Sequence, residues 1–363
     1  MDRVYNFNAG PAAIPVEVLQ KAQGELLNFN HTGMSVMELS HRSQAYDEVH
    51  NNAKSLLKEL LNIPDSYDVL FLQGGASLQF AMIPMNFLNN ENIAYYILSG
   101  AWSEKALSEA KKFGETNVLA SSKESNYTHI PKQFEANSLQ NAAYLHITSN
   151  NTIFGTQWHE FPSTNAPLIA DMSSDILSRE LNIEQFDLIY AGAQKNLGPS
   201  GVTVVIIKKD LIEKANKNVP TILSYQTHAS KNSLYNTPPT FAIYMLSLVL
   251  EWVKEQGGVA EIERRNKQKA QILYNAIDES DGFYKGHAEK ESRSFMNVTF
   301  TLPSDELTKA FVQEAKENRL IGLSGHRSVG GCRASIYNAV TIEACEKLAQ
   351  FMKEFRKNIK SLS

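Results

Sequence analysis

A lysine that follows an apolar run has the clearest potential for chemistry in this chain. Lys195 lies in the sequence Ala191-Gly-Ala-Gln-Lys-Asn-Leu-Gly-Pro-Ser-Gly201, between two predicted strands. A lysine amine can form an imine with an aldehyde cofactor, which then takes up the electrons released at the α-carbon of a substrate. A single turn lysine is most often a surface residue, so the surrounding sequence must decide between the two interpretations.

Such chemistry needs an acidic group beside the ring nitrogen of the cofactor, and Asp171 is the candidate. It follows the apolar run 166–170, which is a second predicted strand. A carboxylate there would keep the ring nitrogen protonated and strengthen the electron sink. Taken alone, an aspartate at this place is better explained as a helix cap or a turn residue.

Three further features follow predicted strands and could contact a flat, phosphorylated cofactor. Residues 74–77 (Gly-Gly-Ala-Ser) lie between a strand and a helix, where free backbone amides can bind phosphate. Trp102 could stack on a ring, although core packing explains an indole equally well. Thr152 could contact a ring oxygen, although a turn hydroxyl is the simpler interpretation. The glycines match neither of the common nucleotide-binding patterns.

Two basic clusters could bind an anionic substrate. One is His41-Arg42, and the other consists of His326, Arg327 and Arg333 in a glycine-rich segment. The planar guanidinium of arginine suits carboxylate and phosphate, so two clusters would fit a substrate with an anion at each end. Any single arginine is usually surface charge, but functional residues concentrate in loops of this kind.

The elements that precede these residues must position them. Between about residues 65 and 210, apolar runs alternate with helical patterns, which indicates an α/β domain with a mostly parallel sheet. Ligands bind such sheets at the carboxyl ends of the strands. The predicted strands are 69–73, 93–98, 143–147, 168–170, 188–190 and 202–207. Beyond about residue 265, charged helical patterns at 261–277 and 342–359 predict a smaller α+β domain, which we expect to include the N-terminal arm.

Composition narrows the class of protein. The 363 residues are 43% hydrophobic, which allows a large core and two domains, and a net charge of −4 argues against nucleic-acid binding. Cys332 and Cys345 cannot form a disulfide framework or a four-thiolate metal site, and no metal is expected. The first residues lack an apolar signal run, and the apolar stretch 241–250 is too short to cross a bilayer. We therefore expect a cytoplasmic protein without a membrane partner.

Seven segments, in order, resemble the phosphoserine aminotransferases, which are class V members of the fold-type I enzymes that use pyridoxal 5'-phosphate (PLP). The resemblance runs from end to end. The segments are Asn6-Phe-Asn-Ala-Gly-Pro-Ala-Ala13, Gly33-Met-Ser-Val-Met-Glu-Leu-Ser-His-Arg-Ser43, Gln73-Gly-Gly-Ala-Ser77, Asp171-Met-Ser-Ser-Asp-Ile-Leu-Ser-Arg179, residues 191–201, Tyr235-Asn-Thr-Pro-Pro-Thr-Phe241 and Gly325-His-Arg-Ser-Val-Gly-Gly-Cys-Arg-Ala-Ser-Ile-Tyr-Asn338.

The resemblance implies a homodimer with active sites at the subunit interface. Each chain would have a large PLP-binding domain (16–265) with a mostly parallel seven-stranded sheet, and a small α+β domain (1–15 and 266–363). The implied reaction moves the amino group of glutamate to 3-phosphohydroxypyruvate, giving O-phosphoserine and 2-oxoglutarate in serine biosynthesis. Some bacterial members also act on a phosphorylated four-carbon analogue in vitamin B6 synthesis.

The resemblance also implies roles for single residues. Lys195 would be the Schiff-base lysine and Asp171 the partner of the pyridine nitrogen, with Trp102 stacked on the ring and Thr152 at the ring oxygen. The cofactor phosphate would be bound by Ala76, Ser77 and Gln194 and, from the other subunit, by Asn236 and Thr237. The substrate phosphate would be bound by His41, Arg42, His326 and Arg327, and the α-carboxylate by Arg333.

Two questions stay open in the sequence. Some family members have arginine where this chain has Ser77, so fewer cations surround the cofactor here. The alternative function is another fold-type I enzyme, such as a cysteine desulfurase. That chemistry needs a nucleophilic cysteine, for which Cys332 is the candidate, although a small buried residue beside Arg333 is the simpler interpretation.

Overall fold

The computed structural model describes residues 3–362, with side chains through residue 359. This part of the chain forms fourteen strands and ten α-helices. The strands are β1 (Tyr5–Asn6), β2 (Tyr67–Leu72), β3 (Ile93–Leu98), β4 (Thr116–Ser121), β5 (Ala142–Thr148), β6 (Asn150–Asn151), β7 (Thr156–Gln157), β8 (Leu168–Asp171), β9 (Leu188–Gly192), β10 (Thr203–Lys208), β11 (Lys285–Gly286), β12 (Asn297–Thr301), β13 (Leu320–Ile321) and β14 (Cys332–Ser335).

The helices alternate with the strands in the first two thirds of the chain and pack mainly around the small sheets in the last third. They are α1 (Val16–Glu25), α2 (Gln44–Leu60), α3 (Gly75–Phe87), α4 (Ala101–Ala110), α5 (Lys209–Glu213), α6 (Tyr225–Ser230), α7 (Thr240–Glu255), α8 (Gly258–Asp278), α9 (Asp305–Glu317) and α10 (Ile342–Leu362). Across the described residues, every helix is too short or too polar to span a bilayer.

The main sheet has seven strands in the order β2-β10-β9-β8-β5-β3-β4. The pairs β9–β8, β8–β5, β5–β3 and β3–β4 are parallel, whereas β10 runs antiparallel to both β9 and β2. The predicted mostly parallel seven-stranded sheet is therefore confirmed. Because β2, β3, β5, β8 and β9 point the same way, their carboxyl ends share one edge, and this edge carries the candidate site.

Both faces of the sheet are covered, which explains the continuous apolar runs. In β2, Val69 and Phe71 belong to one buried cluster, whereas Leu70 and Leu72 belong to the cluster on the opposite face. Successive side chains of a strand point to opposite faces, so a strand buried on both sides needs apolar residues throughout.

A third buried cluster surrounds the three-stranded sheet β11-β12-β14. It joins Phe7 to apolar residues between Ala270 and Phe355. The N-terminal strand β1 belongs to this region because it pairs in parallel with β13, Tyr5 lying opposite Leu320. The N-terminal arm thus packs against the last third of the chain.

The sequence patterns miss one strand of the main sheet. The edge strand β4 (Thr116–Ser121) contains no buried residue along its length. A half-exposed edge strand does not produce an apolar run, because only its partner strand and one face shield it.

Candidate active site

Lys195 lies in the tight connection between β9 and β10. The N–H of Ala193 donates to the carbonyl of Val202 at 3.0 Å, and the N–H of Ala12 donates to the carbonyl of Gln194 at 2.9 Å. The connection is thus closed at its base by the sheet and covered from outside by the N-terminal arm. Lys195 is held at the carboxyl edge of the sheet.

The pKa of the Lys195 amine lies well below that of an ordinary lysine. Burial lowers its pKa to about 8, against the charge of Asp171, which raises it, while Arg333 lowers it further. The Nζ atom donates a hydrogen bond to the Oγ1 atom of Thr152 at 2.7 Å. A neutral amine is the nucleophilic form of lysine and the form that can accept a proton, so the site prepares Lys195 for both tasks.

Asp171 is the last residue of β8 and is buried. Burial raises the pKa of its carboxyl, whereas hydrogen bonds from Ser173 and the charge of Lys195 lower it. The backbone N–H of Ser173 donates to Oδ1 at 3.0 Å. These contacts orient the carboxylate on the strand beside the one that leads to Lys195, where it can pair with a cationic ring nitrogen.

The N-terminus of α3 offers free amides at the same edge. Gly74 is its N-cap in the left-handed region (φ 89°), no side chain caps the helix, and its first turn contains no acidic residue. The first helical bond runs from the N–H of Leu78 to the carbonyl of Gly74, which leaves the amides of Ala76 and Ser77 without a helical partner. An uncapped helix start of this kind suits a phosphate group.

Trp102 lies in the first turn of α4, half-buried against the core. Its indole N–H is buried and has no partner among the described residues. The loop before it is fixed by Asn151, whose amide donates to the Oγ atom of Ser99 at 3.1 Å. A Cβ atom on Gly100 would lie 2.6 Å from Oδ1 of Asn151, so this close approach requires glycine.

Arg333 reaches this edge from strand β14. Its Nη1 atom donates to the carbonyl of Thr152 at 3.1 Å, so Thr152 contacts both Lys195 and Arg333. Burial lowers the pKa of the guanidinium. A half-buried cation of this kind, beside a lysine amine, is placed to bind a carboxylate.

His326 and Arg327 lie in the loop that precedes β14. The pKa of His326 is lowered, first by burial and then by the positive charges of Arg333, Arg327 and Lys105. Val329 of this loop packs against the cluster that contains Trp102. The loop therefore adds an anion-attracting region next to the indole.

Lys105 is a member of this group that the sequence interpretation missed. Its Nζ atom lies 4.3 Å from the centre of the Trp102 ring, three residues along the same helix. The i,i+3 spacing was the available signal, since residues at that spacing meet on one helix face. A lysine in the polar sequence of a surface helix is common, however, so the sequence gave no reason to select Lys105.

The structure does not bring His41 and Arg42 to the other cations. Arg42 is exposed, and neither side chain makes a hydrogen bond or an ion pair with any residue in the described range. Asn236 and Thr237 are also exposed, with the carbonyl of Thr237 accepting a hydrogen bond from Gln73 at 3.1 Å. None of these four side chains forms a hydrogen bond or an ion pair with Lys195, Asp171 or Arg333 in the described part of the chain, although Gln73, which binds the carbonyl of Thr237, directly precedes Gly74, the N-cap of α3.

The thiol of Cys332 does not fit a nucleophile. Cys332 is fully buried in the core of the three-stranded sheet, and burial raises its pKa to about 12. The thiolate is the reactive form of cysteine, and at neutral pH this side chain is a thiol without solvent access. The desulfurase alternative is therefore not favoured.

The groups on this edge fit PLP. A half-buried lysine amine, a buried carboxylate, an uncapped helix start and an indole ring are what an aldehyde with a pyridine ring and a phosphate would need. The start of α3 is the clearest sign, because it has no side-chain cap and offers free amides where a phosphate could bind.

Comparisons with known proteins agree with this chemistry. The family model "Aminotransferase class-V" matches residues 4–348. A phosphoserine aminotransferase of Geobacillus kaustophilus (strain HTA426) is 70% identical, covering 98% of this chain and 99% of the relative.

Two solved structures extend the likeness. A phosphoserine aminotransferase structure that records radiation damage of its Schiff base superposes with a TM-score of 0.96 at 62% identity, covering 98% of this chain and 100% of that one. A PLP-bound phosphoserine aminotransferase of Trichomonas vaginalis superposes with a TM-score of 0.92 at 40% identity, covering 97% and 100%. This chain belongs to the class V aminotransferases and, among them, to the phosphoserine aminotransferase family.

Proposed function

We propose that this chain uses PLP to transfer the amino group of glutamate to 3-phosphohydroxypyruvate, giving O-phosphoserine and 2-oxoglutarate. The observation that carries the proposal is the convergence of the Lys195 amine, the Asp171 carboxylate and the cations of the 326–333 loop on one sheet edge. The names of two similar proteins support a phosphorylated substrate, because both are called phosphoserine aminotransferase.

The residues proposed to hold the cofactor surround Lys195. When bound, PLP supplies an aldehyde for a lysine amine and a ring that takes up electrons from the α-carbon of the substrate. Asp171 would face the pyridine nitrogen, Thr152 the ring oxygen and Trp102 the face of the ring. The phosphate would be bound by Ala76, Ser77 and Gln194, and by Asn236 and Thr237 of the second subunit.

Lys195 would move the proton that transamination requires. Its Nζ atom, with a pKa near 8, can accept a proton from the α-carbon of the substrate and return it elsewhere. Thr152 holds this atom at 2.7 Å, which fixes the direction of the lysine chain between transfers. A base with a pKa near the working pH is the most efficient proton carrier.

The cations divide into two anion sites in this proposal. Arg333, held by Thr152 beside Lys195, would bind the α-carboxylate that both substrates share. His326, Arg327 and the newly found Lys105 would bind the phosphate. This division explains how one site accepts both glutamate and a phosphorylated acid.

We propose a homodimer whose subunits share their active sites. Arg42 is exposed, and exposed apolar side chains precede it in the sequence, with Leu27 86% and Met37 56% exposed. Tyr235, beside Asn236 and Thr237, is 45% exposed. Apolar residues exposed near functional cations suggest a surface that a second copy covers, and that copy would bring Arg42 to the phosphate site.

Subunit complementation tests the shared site. Chains with Lys195→Ala and chains with Arg42→Ala are each expected to be strongly impaired when assayed alone. If Arg42 serves the partner's site, mixed dimers contain one intact site, and refolding the two variants together restores about a quarter of wild-type activity. If Arg42 serves its own chain, no site is intact and mixing restores nothing.

The proposal includes two domains and a cytoplasmic location. The division into 16–265 and 1–15 plus 266–363 is supported by the third buried cluster, which joins Phe7 only to residues from Ala270 onward. The free thiols of Cys332 and Cys345 fit a reducing compartment.

A coupled assay with glutamate and each phosphorylated keto acid tests the activity. Purified protein should absorb visible light, lose this absorbance when glutamate is added, and give parallel double-reciprocal lines, because the first product leaves before the second substrate binds. The Lys195→Ala variant should lack turnover. Wild-type turnover in that variant would refute the proposal, and comparing the three- and four-carbon acids decides whether the vitamin B6 analogue is also a substrate.

A further inference from the structure

One lysine outside the candidate site, Lys269, is fully buried. Lys269 lies on helix α8 and is 1% exposed. It belongs to a helix face whose other members, Ile262, Asn266 and Leu273, are also buried. An ammonium group inside a protein is costly unless it is well paired, so its surroundings must compensate for the lost hydration.

Three backbone carbonyls provide this compensation. The Nζ atom donates to the carbonyls of Ile336, Tyr337 and Val340 at 2.9, 2.8 and 2.9 Å. These three bonds use all the donors of a lysine ammonium. No carboxylate pairs with Lys269 in the part of the chain whose side chains are described, so the carbonyls hold the charge alone.

The titratable neighbours do not supply a counter-charge. Arg265 is positive and lies on the same helix, and the Cys345 thiol lies on α10. Burial raises the pKa of Cys345 to about 12, so it is neutral at physiological pH. Burial also lowers the pKa of Lys269 to about 8. The ammonium form therefore depends on the segment 336–340 keeping its three carbonyls together.

That segment holds both flanks of Lys195. The Oη atom of Tyr337 donates to the carbonyl of Ala9 at 2.7 Å, and the next residue, Gly10, lies close enough that a Cβ atom there would be 3.5 Å from Cε of Lys195. On the other side, the N–H of Asn338 donates to Oδ1 of Asn196 at 3.0 Å. Asn196 directly follows Lys195 in the chain.

We propose that Lys269 is a positioning residue for Lys195. Its three hydrogen bonds hold the segment 336–340 together. This segment fixes Ala9, before Gly10, and Asn196, after Lys195, so that the Lys195 amine approaches the reacting atoms in one geometry. The role rests on the proposed function, in which Lys195 is the reacting amine. Misplacing a reacting group by about 1 Å can cost up to 100-fold in rate, so a remote clamp can have a large effect.

The test replaces Lys269 with methionine, which keeps length and apolar bulk but removes the ammonium. Lys269→Met should lower kcat about tenfold with little change in KM, shift the visible absorption of the PLP-loaded protein and slow PLP uptake by the apoprotein. The matched control is Lys267→Met, because Lys267 lies on the same helix and pairs with Glu263 at the surface. The control should behave as wild type in each measurement.

Two further variants leave Lys269 in place and cut the links to Ala9 and Asn338, together with the bonds that Asn297 donates to the Tyr337 hydroxyl at 3.2 Å and that Asn196 donates to the carbonyl of Ile176 at 3.0 Å. Tyr337→Phe removes the bond to Ala9, and Asn196→Ala removes the bond to Asn338. Each should reproduce part of the fall in kcat and part of the spectral change, with a smaller loss of thermal stability than Lys269→Met. If Lys269→Met fails to fold, these two variants still test whether the segment 336–340 positions Lys195.

A purely structural role gives a different pattern. Lys269→Met would then unfold at a lower temperature while its folded fraction kept wild-type kcat, absorption and PLP uptake, and both link variants would match wild type. Either of these results overturns the positioning role while the wild type remains active. A wild type that binds PLP but turns over neither keto acid would instead refute the proposed function. The rate of PLP uptake by Lys269→Met, compared with that of wild type, would still test the role of Lys269.

Discussion

The capture of PLP by the apoprotein should depend on pH with a midpoint near 8. Only the neutral amine of Lys195 attacks an aldehyde, and burial lowers its pKa from the ordinary 10.5 to about 8. As pH rises through this value, the amine loses its proton and capture accelerates; below it, the amine is an ammonium and capture slows. Above the midpoint the rate should level off instead of rising to pH 10.

The magnitude follows from the size of this shift. At pH 7.5, a group with a pKa of about 8 is about 25% neutral, whereas an ordinary lysine is about 0.1% neutral, a gain of about 200-fold in nucleophile. Since the charge of Asp171 raises the Lys195 pKa, Asp171→Asn should move the midpoint to lower pH. Removing the Asp171 charge should raise the neutral fraction of the Lys195 amine at a given pH, even though the variant should bind PLP less tightly.

Stopped-flow absorbance measures the capture rate of the apoprotein between pH 6 and 10. Asp210→Asn is the control, because Asp210 is an exposed carboxylate on α5 that has no part in the candidate site. A wild-type midpoint near pH 10 would refute the conclusion that burial lowers the pKa of the Lys195 amine. A midpoint that Asp171→Asn leaves unchanged or raises would refute the electrostatic link between the two residues.

Three other substitutions probe the packing and the anion sites. Cys332→Ala should keep full transaminase activity, because the thiol is buried away from the reacting groups; loss of turnover with an unchanged fold would revive a role for sulfur. Lys105→Gln should raise KM for the phosphorylated acid about two- to fivefold, the usual worth of an exposed charge, and leave the KM of glutamate unchanged. Arg179→Met should lower the free energy of unfolding in urea by about 3 kcal/mol, because it leaves Asp175 buried without its ion pair at 3.2 Å. Arg264→Met, at the surface, should cost much less because solvent screens its ion pair, and equal losses in the two arginine variants would contradict that reasoning.

The strands and the edge of the sheet were predictable from the sequence because their physical cause is local. A strand buried on both faces must be apolar throughout, and the rule that ligands bind at the carboxyl ends of parallel strands brings Asp171 and Lys195 together. β4 escaped prediction because an edge strand that is half-exposed needs no such run.

The anion sites were less predictable because they depend on distant parts of the chain. Arg333 is carried to Thr152 by the packing of the last third of the chain, which no short pattern encodes. Arg42 lies in a well-marked motif, yet one chain does not bring it to the phosphate site. Lys269 resembles any lysine of a charged helix, although its place on the face with Ile262 and Leu273 was a readable sign of burial.

The pairing of β1 with β13 has a consequence for how the chain is made. Tyr5 pairs with Leu320, so β1 finds its partner only after residue 320 has left the ribosome. At about 5–20 residues per second, this wait is on the order of tens of seconds. The seven-stranded sheet, complete by Lys208, can form during that time. Because the arm at Gly10 covers Lys195, the site closes only after β13 has been made, and until then a nascent chain exposes its reactive amine.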